Sequence, residues 1–319
     1  MFFYCFKLLI FSKGDAKMSR LKLTGIALGL SFSLLIAGCG SEIEGKATSE
    51  TSENSLGEAL DYTITGIEPG AGLTGLSKNT LEEYENLDGW ELLESSTAGM
   101  LGALDGAIKN EEPIIVTGWT PHWMFSAYDL KYLEDPKGTL GGQENIQTLV
   151  RKGLEEDMPS AFKILDRFYW EPKDMEAVMY DAQEVSFEEA AEKWVEQNAD
   201  RVNEWTQGIE KVNGDEIELV TTPWDSERAS ANVVKVVLEE QGYKVTLTPV
   251  DPAIMFQAIA TGEGDATVAP WLPTTHGSFY EKYKEEIVDL GENLKGTQNG
   301  FVVPAYMDID SIEDLMPKK

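Results

Sequence analysis

The segment IELVTTPWDSERASANVVKVVLEEQGYKVTLTPV, Ile217–Val250, decides the fold class. IELVTTPW is an apolar, β-branched run of strand length. SERASANVVKVVLEEQGY carries its apolar residues at helical spacing behind Asp225, which reads as an N-cap, and KVTLTPV returns to a strand. The pattern continues outward in both directions. Downstream, DPAIMFQAIATG reads as a short helix and DATVAPW as a further strand. Upstream, LDYTITGI, WELLESS and PIIVTGW read as strands, separated by helical patterns in TGLSKNTLEEYENL and TAGMLGALDGAIKN. A further helix is expected across SFEEAAEKWVEQNADRVNEW, where Ser186 and Glu189 have the spacing of a capping box. Repeated strand–helix–strand units predict an α/β protein with largely parallel sheets. Two lobes are expected, residues 60–212 and 213–319, meeting near the turn at Val212–Asp215. Open parallel sheets bind ligands beyond the carboxyl ends of their strands, so the cleft between the lobes is the expected site.

The chain is strongly acidic, with a formal charge of −30 and a pI near 4.3. That argues against nucleic acid or an anionic membrane surface as a partner, because phosphate binding needs clustered Lys and Arg. Its 42% hydrophobic content and eight Trp exclude disorder throughout.

The N-terminus carries an export signal. From Met18, a basic SRLKL precedes the apolar TGIALGLSFSLLIAG and then Cys39. LLIAGC resembles the bacterial lipobox, in which the cysteine is lipidated and becomes the new N-terminus. A transmembrane anchor fits less well, since the apolar run falls short of the roughly 20 residues that span a bilayer. Residues 1–38 therefore read as a signal peptide, with Met18 a natural start and Cys5 lost on cleavage from either start. Cys39 would then be acylated, leaving no thiol for a disulfide, a metal or catalysis. Residues 39–59 are polar and read as a flexible tether carrying a lipid anchor.

Three tryptophans share one context. Trp119, Trp224 and Trp271 each end an apolar strand in TGWTPHW, TTPWDSERAS and APWLPTTHG. Core packing explains any one of them alone. Three at matching positions point to an aromatic cage for a quaternary ammonium, whose charge cannot be removed by deprotonation and which offers no N–H. Trp90, Trp170, Trp194 and Trp205 read as packing residues, and His122 and Trp123 as packing beside the first turn. A betaine also carries a carboxylate. PGAGL, Pro69–Leu73, allows close backbone approach and would present the Gly72 and Leu73 amides at a helix N-terminus. His276 could donate an imidazole N–H to the same group.

The motifs GIEPGAGL, TGWTPHWMF, YDLKYLEDPK, RKGLEEDMP, PWDSERAS, APWLPTTHG and VVPAYMDIDSIEDL, spread from Asp61 to Leu315, resemble the substrate-binding lipoproteins of bacterial ABC importers for glycine betaine and proline betaine. The resemblance implies a hinged, two-lobed type II binding-protein fold that closes on the zwitterion and delivers it to a permease with its ATPase. It also implies a cage of Trp119, Trp224 and Trp271, a carboxylate held by the Gly72 and Leu73 amides and His276, no cofactor or metal, and a monomer anchored outside the cell membrane. The C-terminal segment is a candidate to cross back to the first lobe. Leu73 stands where some relatives have Ile. Choline, carnitine or a sugar are the competing ligands. Hydrolysis of a glycoside is the enzymatic alternative, weakened because N-capping accounts for Asp225.

Overall fold

The computed structural model describes residues 53–319. The leader, Cys39 and the tether as far as residue 52 lie outside the described residues. The tether ends earlier than its composition suggested, because helix α1 (Glu53–Ala59) is already part of the globule. Leu56 packs against the core, Leu60 is buried, and a Cβ added at Gly57 would come 2.6 Å from Tyr62 Cε1.

The first strand–helix cycles follow the expected order: β1 (Thr63–Thr65), α2 (Gly72–Glu83), β2 (Glu91–Leu93), α3 (Thr97–Asn110) and β3 (Val116–Thr120). β1 pairs in parallel with both β2 and β3. α3 has well-defined ends. The Ser96 hydroxyl accepts from the Gly99 amide at 3.0 Å, and Glu111 closes the helix in the left-handed region at φ 54°.

A short α4 (Met124–Ala127) and β4 (Leu130–Tyr132) lead to β5 (Glu144–Arg151). Five helices follow: α5 (Leu154–Asp157), α6 (Pro159–Arg167), α7 (Pro172–Asp181), α8 (Phe187–Gln197) and α9 (Ala199–Thr206). The Ser186–Glu189 capping box forms in both directions at the start of α8. The single helix expected through Trp205 is instead divided at Asn198. Its backbone leaves the helical region, and its side-chain amide donates to the Trp194 carbonyl at 2.8 Å. The chain then runs through β6 (Glu216–Thr221), α10 (Asp225–Glu240), β7 (Lys244–Pro249), α11 (Pro252–Thr261), β8 (Ala266–Thr267), β9 (Trp271–Leu272), α12 (Gly277–Tyr283) and β10 (Ile287–Pro304).

The strand order is β2-β1-β3-β10-β5-β8-β6-β7, with β4 on β10 and β9 on β5. The outer pairs are parallel, as helical crossovers require, but the centre is antiparallel. β10 is responsible. Its first part, from Ile287 to Thr297, pairs with β5, and its last part, from Gln298 to Val302, pairs with β3. Register shifts between Asp289 and Gly291, Glu292 and Leu294, and Lys295 and Thr297 let one long strand serve two half-sheets. The result is a two-lobed α/β fold with the lobes bridged by β10 and by the connection from β4 to β5. The junction drawn from the sequence at 212/213 does not coincide with the division between the half-sheets. β5 belongs with β8 and β6, and α7 and α8 pack on α10, because antiparallel pairing joins segments distant in sequence.

Four of the remaining aromatics form one cluster. Trp194 stacks on Trp205 at 6.0 Å and meets Trp170 edge-on at 5.5 Å, while Phe168 meets Trp205 at 5.1 Å. Trp170 lies in the connection between α6 and α7, not in a helix. Trp90 packs on Tyr62 and donates its indole N–H to the Met316 carbonyl at 2.8 Å, fastening the C-terminal segment. In β10, Phe301 is fully buried opposite Thr117. Phe301→Ala is expected to lower the unfolding free energy by about 3–5 kcal/mol, measured as a shift of the urea midpoint at unchanged slope.

Candidate functional site

Gly72, Leu73, Trp119, Trp224, Trp271 and His276 all line one cavity, together with Ile67, Ala71, Glu227 and Asn299. The tryptophans arrive from strands and from a helix end. β3 delivers Trp119 near its end, one residue before the Thr120–Pro121 turn. β9 pairs with β5 and holds Trp271 opposite Ile146, one residue before the Leu272–Pro273 turn; both X–Pro bonds are cis. Trp224 sits at the N-cap of α10 with an extended backbone.

This last placement corrects the reading of Asp225. Asp225 is the first residue inside the helix and makes no capping bond; its Oδ2 accepts the Trp123 indole N–H at 2.9 Å. A carboxylate in the first turn is favourable without capping, because the helix dipole presents its positive end there.

The three cavity indoles are almost wholly buried, so each N–H needs an acceptor. Trp119 donates to the Ser226 hydroxyl at 3.2 Å, Trp224 to Glu68 Oε2 at 3.0 Å and Trp271 to Glu227 Oε1 at 2.6 Å. The Ser226 hydroxyl in turn donates to Glu227 Oε2 at 2.7 Å. Glu227 therefore ties together two indoles from opposite half-sheets.

Gly72, Leu73 and His276 add N–H donors to the cavity lining. Gly72 and Leu73 open α2, where the first amides of a helix lack intrahelical acceptors. A Cβ at Gly72 would run into the Thr275 carbonyl, so the close approach of these two segments requires glycine. His276 Nδ1 accepts the Trp271 backbone N–H at 3.0 Å. Burial lowers its pKa to about 4, so at neutral pH the ring is uncharged and its one proton resides on Nε2. The loop carrying Thr274 and Thr275 is fixed from beneath by the buried Glu144. Both amides donate to Glu144 Oε2 at 2.8 Å, and the Thr275 hydroxyl and the Asn299 amide donate to Oε1.

His122 does not line the cavity. It packs edge-on against Trp119 at 4.6 Å, accepts the Met124 amide on Nδ1 at 3.2 Å, and burial lowers its pKa to about 3. The carboxylates are what reading the sequence missed. Burial pushes Glu227 up to about 7, against the lowering effect of its bonds from Ser226 and Trp271. Burial also pushes Glu68 upward, but hydrogen bonds from the Thr97 amide, the Trp224 indole and the Thr97 hydroxyl outweigh it and leave the carboxyl below its ordinary value. The available signal for Glu227 was its position three residues after Trp224, nearly one helical turn along α10. Among the described residues no cluster of three or more His, Cys, Asp or Glu could hold a metal ion, and no helix is long and apolar enough to cross a membrane.

Comparison with known proteins gives the family. The model of the substrate-binding domain of ABC-type glycine betaine transport systems matches residues 45–197 and 215–319. The glycine betaine/carnitine transport binding protein GbuC of Listeria monocytogenes serotype 1/2a (strain 10403S) is 47% identical over 305 residues, covering 95% of this chain and 100% of that protein. Among solved structures, a lactococcal OpuAC in its closed, liganded conformation with glycine betaine is 53% identical over 46% of this chain and 58% of that one, with a TM-score of 0.45. An ABC-transporter choline-binding protein with choline is 25% identical over 58% of this chain and 62% of that one, with a TM-score of 0.43. In both superpositions the match spans less than two thirds of the solved chain. The chain belongs to the family of substrate-binding domains of ABC-type glycine betaine transport systems.

Proposed function

We propose that this protein captures glycine betaine or proline betaine outside the cytoplasm and delivers it to an ABC permease with its ATPase, supplying a compatible solute under osmotic stress. In this reading Trp119, Trp224 and Trp271 enclose the methylated nitrogen, and the Gly72 and Leu73 amides with His276 Nε2 hold the carboxylate. The observation that carries it is one cavity lined both by three indole rings and by the neutral N–H donors of Gly72, Leu73 and His276. A zwitterion with a permanent cation and a carboxylate needs both. Cys39 would anchor the protein by lipid, and the monomer would close by moving one half-sheet against the other about the crossings made by β10 and by the connection from β4 to β5. The lobes would then divide along those crossings instead of at 212/213.

Carnitine is the second reading. It also joins a trimethylated nitrogen to a carboxylate, and the 47%-identical relative is named for glycine betaine and carnitine together.

Calorimetric titration of the protein with glycine betaine, proline betaine, carnitine and choline tests the proposal. Saturable binding of a betaine that exceeds that of choline is expected, and no heat with any of them would refute it. Trp224→Ala and Trp271→Ala should each weaken betaine binding by about 5- to 30-fold, or about 1–2 kcal/mol, as for a desolvated cation–π contact. Gly72→Ala should abolish high-affinity binding while circular dichroism stays native, because its Cβ would displace the Thr275 segment from beside Gly72. His276→Ala should weaken betaine but leave choline, which has no carboxylate, nearly unchanged; equal losses for both would contradict the assigned polarity.

A further inference from the structure

We propose that Glu227, supported by Glu68, sets the preference of this cavity for a quaternary ammonium group over an uncharged tert-butyl group of the same shape. The inference rests on the betaine reading and deepens it by assigning the source of charge selectivity to two carboxylates, neither of which is part of the indole cage.

Glu227 is 3% exposed and lines the cavity, yet the groups bonded to its carboxylate are a hydroxyl and an indole, both neutral. Among the described residues neither Glu227 nor Glu68 forms an ion pair with Lys, Arg or His. A buried carboxylate without a counter-ion is costly to keep charged, and its raised pKa reflects that cost. A cation entering the cavity supplies the missing counter-charge.

The hydrogen bonds provide a second route. Trp271 donates to Glu227 and Trp224 donates to Glu68, so two of the three indoles have an acidic side chain as acceptor. Donation to an anion polarises the ring and makes its face more negative, which strengthens attraction for a cation. Trp119 joins the same system through Ser226. Both routes vanish for an uncharged tert-butyl group. Both also repel a carboxylate, so they help direct that end of a betaine towards Gly72 and Leu73.

The test compares glycine betaine with 3,3-dimethylbutanoate, which replaces the quaternary nitrogen by carbon and keeps the carboxylate. Both are titrated by calorimetry or tryptophan fluorescence at pH 8 into the wild-type protein and Glu227→Gln, the weaker ligand by competition. Wild type is expected to favour betaine strongly. Glu227→Gln keeps an oxygen for the Trp271 indole and should lose at least about tenfold in betaine affinity, with 3,3-dimethylbutanoate unchanged or improved. Equal losses for the two ligands would reduce Glu227 to a positioning role and overturn the proposal, as would an unchanged betaine affinity. Should Glu227→Gln not fold, Glu68→Gln carries the same comparison; a narrowed ratio supports the inference and an unaltered one overturns it. Failure of the wild-type protein to bind betaine at all would instead remove the functional reading beneath it.

Discussion

Each indole N–H lining the cavity finds an acceptor, and those three bonds govern the geometry of this site. Trp119, Trp224 and Trp271 each turn their N–H away to a fixed oxygen, on Ser226, Glu68 and Glu227 respectively. Once the N–H is committed, the plane of a bulky ring is defined to within its remaining packing freedom. The acceptors come from other segments than the rings they hold. Ring orientation is therefore a product of the tertiary fold as a whole, and loosening any one segment loosens the cavity wall.

The same logic of fixed polar partners extends beneath the site. Glu144 in β5 gathers the Thr274 and Thr275 amides and Asn299 from β10, so one carboxylate connects β5 and β10 with the loop that carries His276. His276 is in turn oriented by the backbone of Trp271. Supports of this kind set which imidazole nitrogen carries the proton and where it is aimed.

Much of this architecture is legible in the linear chain, for local reasons. α3 is readable because its apolar residues recur at helical spacing, although Ser96, assigned to the preceding strand, turns out to cap it, and the Ser186–Glu189 box marks the start of α8. The three tryptophans stand out because large apolar residues beside prolines and caps are unusual loop residues, although only Trp119 lies at the end of a strand; Trp224 caps α10 and Trp271 opens β9, and the structure brings all six singled-out site residues to one cavity. What escapes is non-local. The partition of the lobes depends on β5 pairing with β10, a relation between segments over a hundred residues apart that neither segment encodes alone. Asp225 has the composition of an N-cap but is drawn to Trp123 instead. Glu227 looks like a solvated helical charge in the sequence, and only the converging Trp271 and Ser226 groups explain its burial.

The long final strand constrains how the protein comes into being. Phe301, Val302 and Val303 fill the interior of the half-sheet that the earliest strands begin. A nascent chain emerging from the ribosome therefore exposes β1, β2 and β3 with their core incomplete until β10 has been made. Closure of such distant ends is slow and leaves apolar edges unpaired meanwhile. A protein assembled in this order can cover the open edge of its first half-sheet only once β10 has been made.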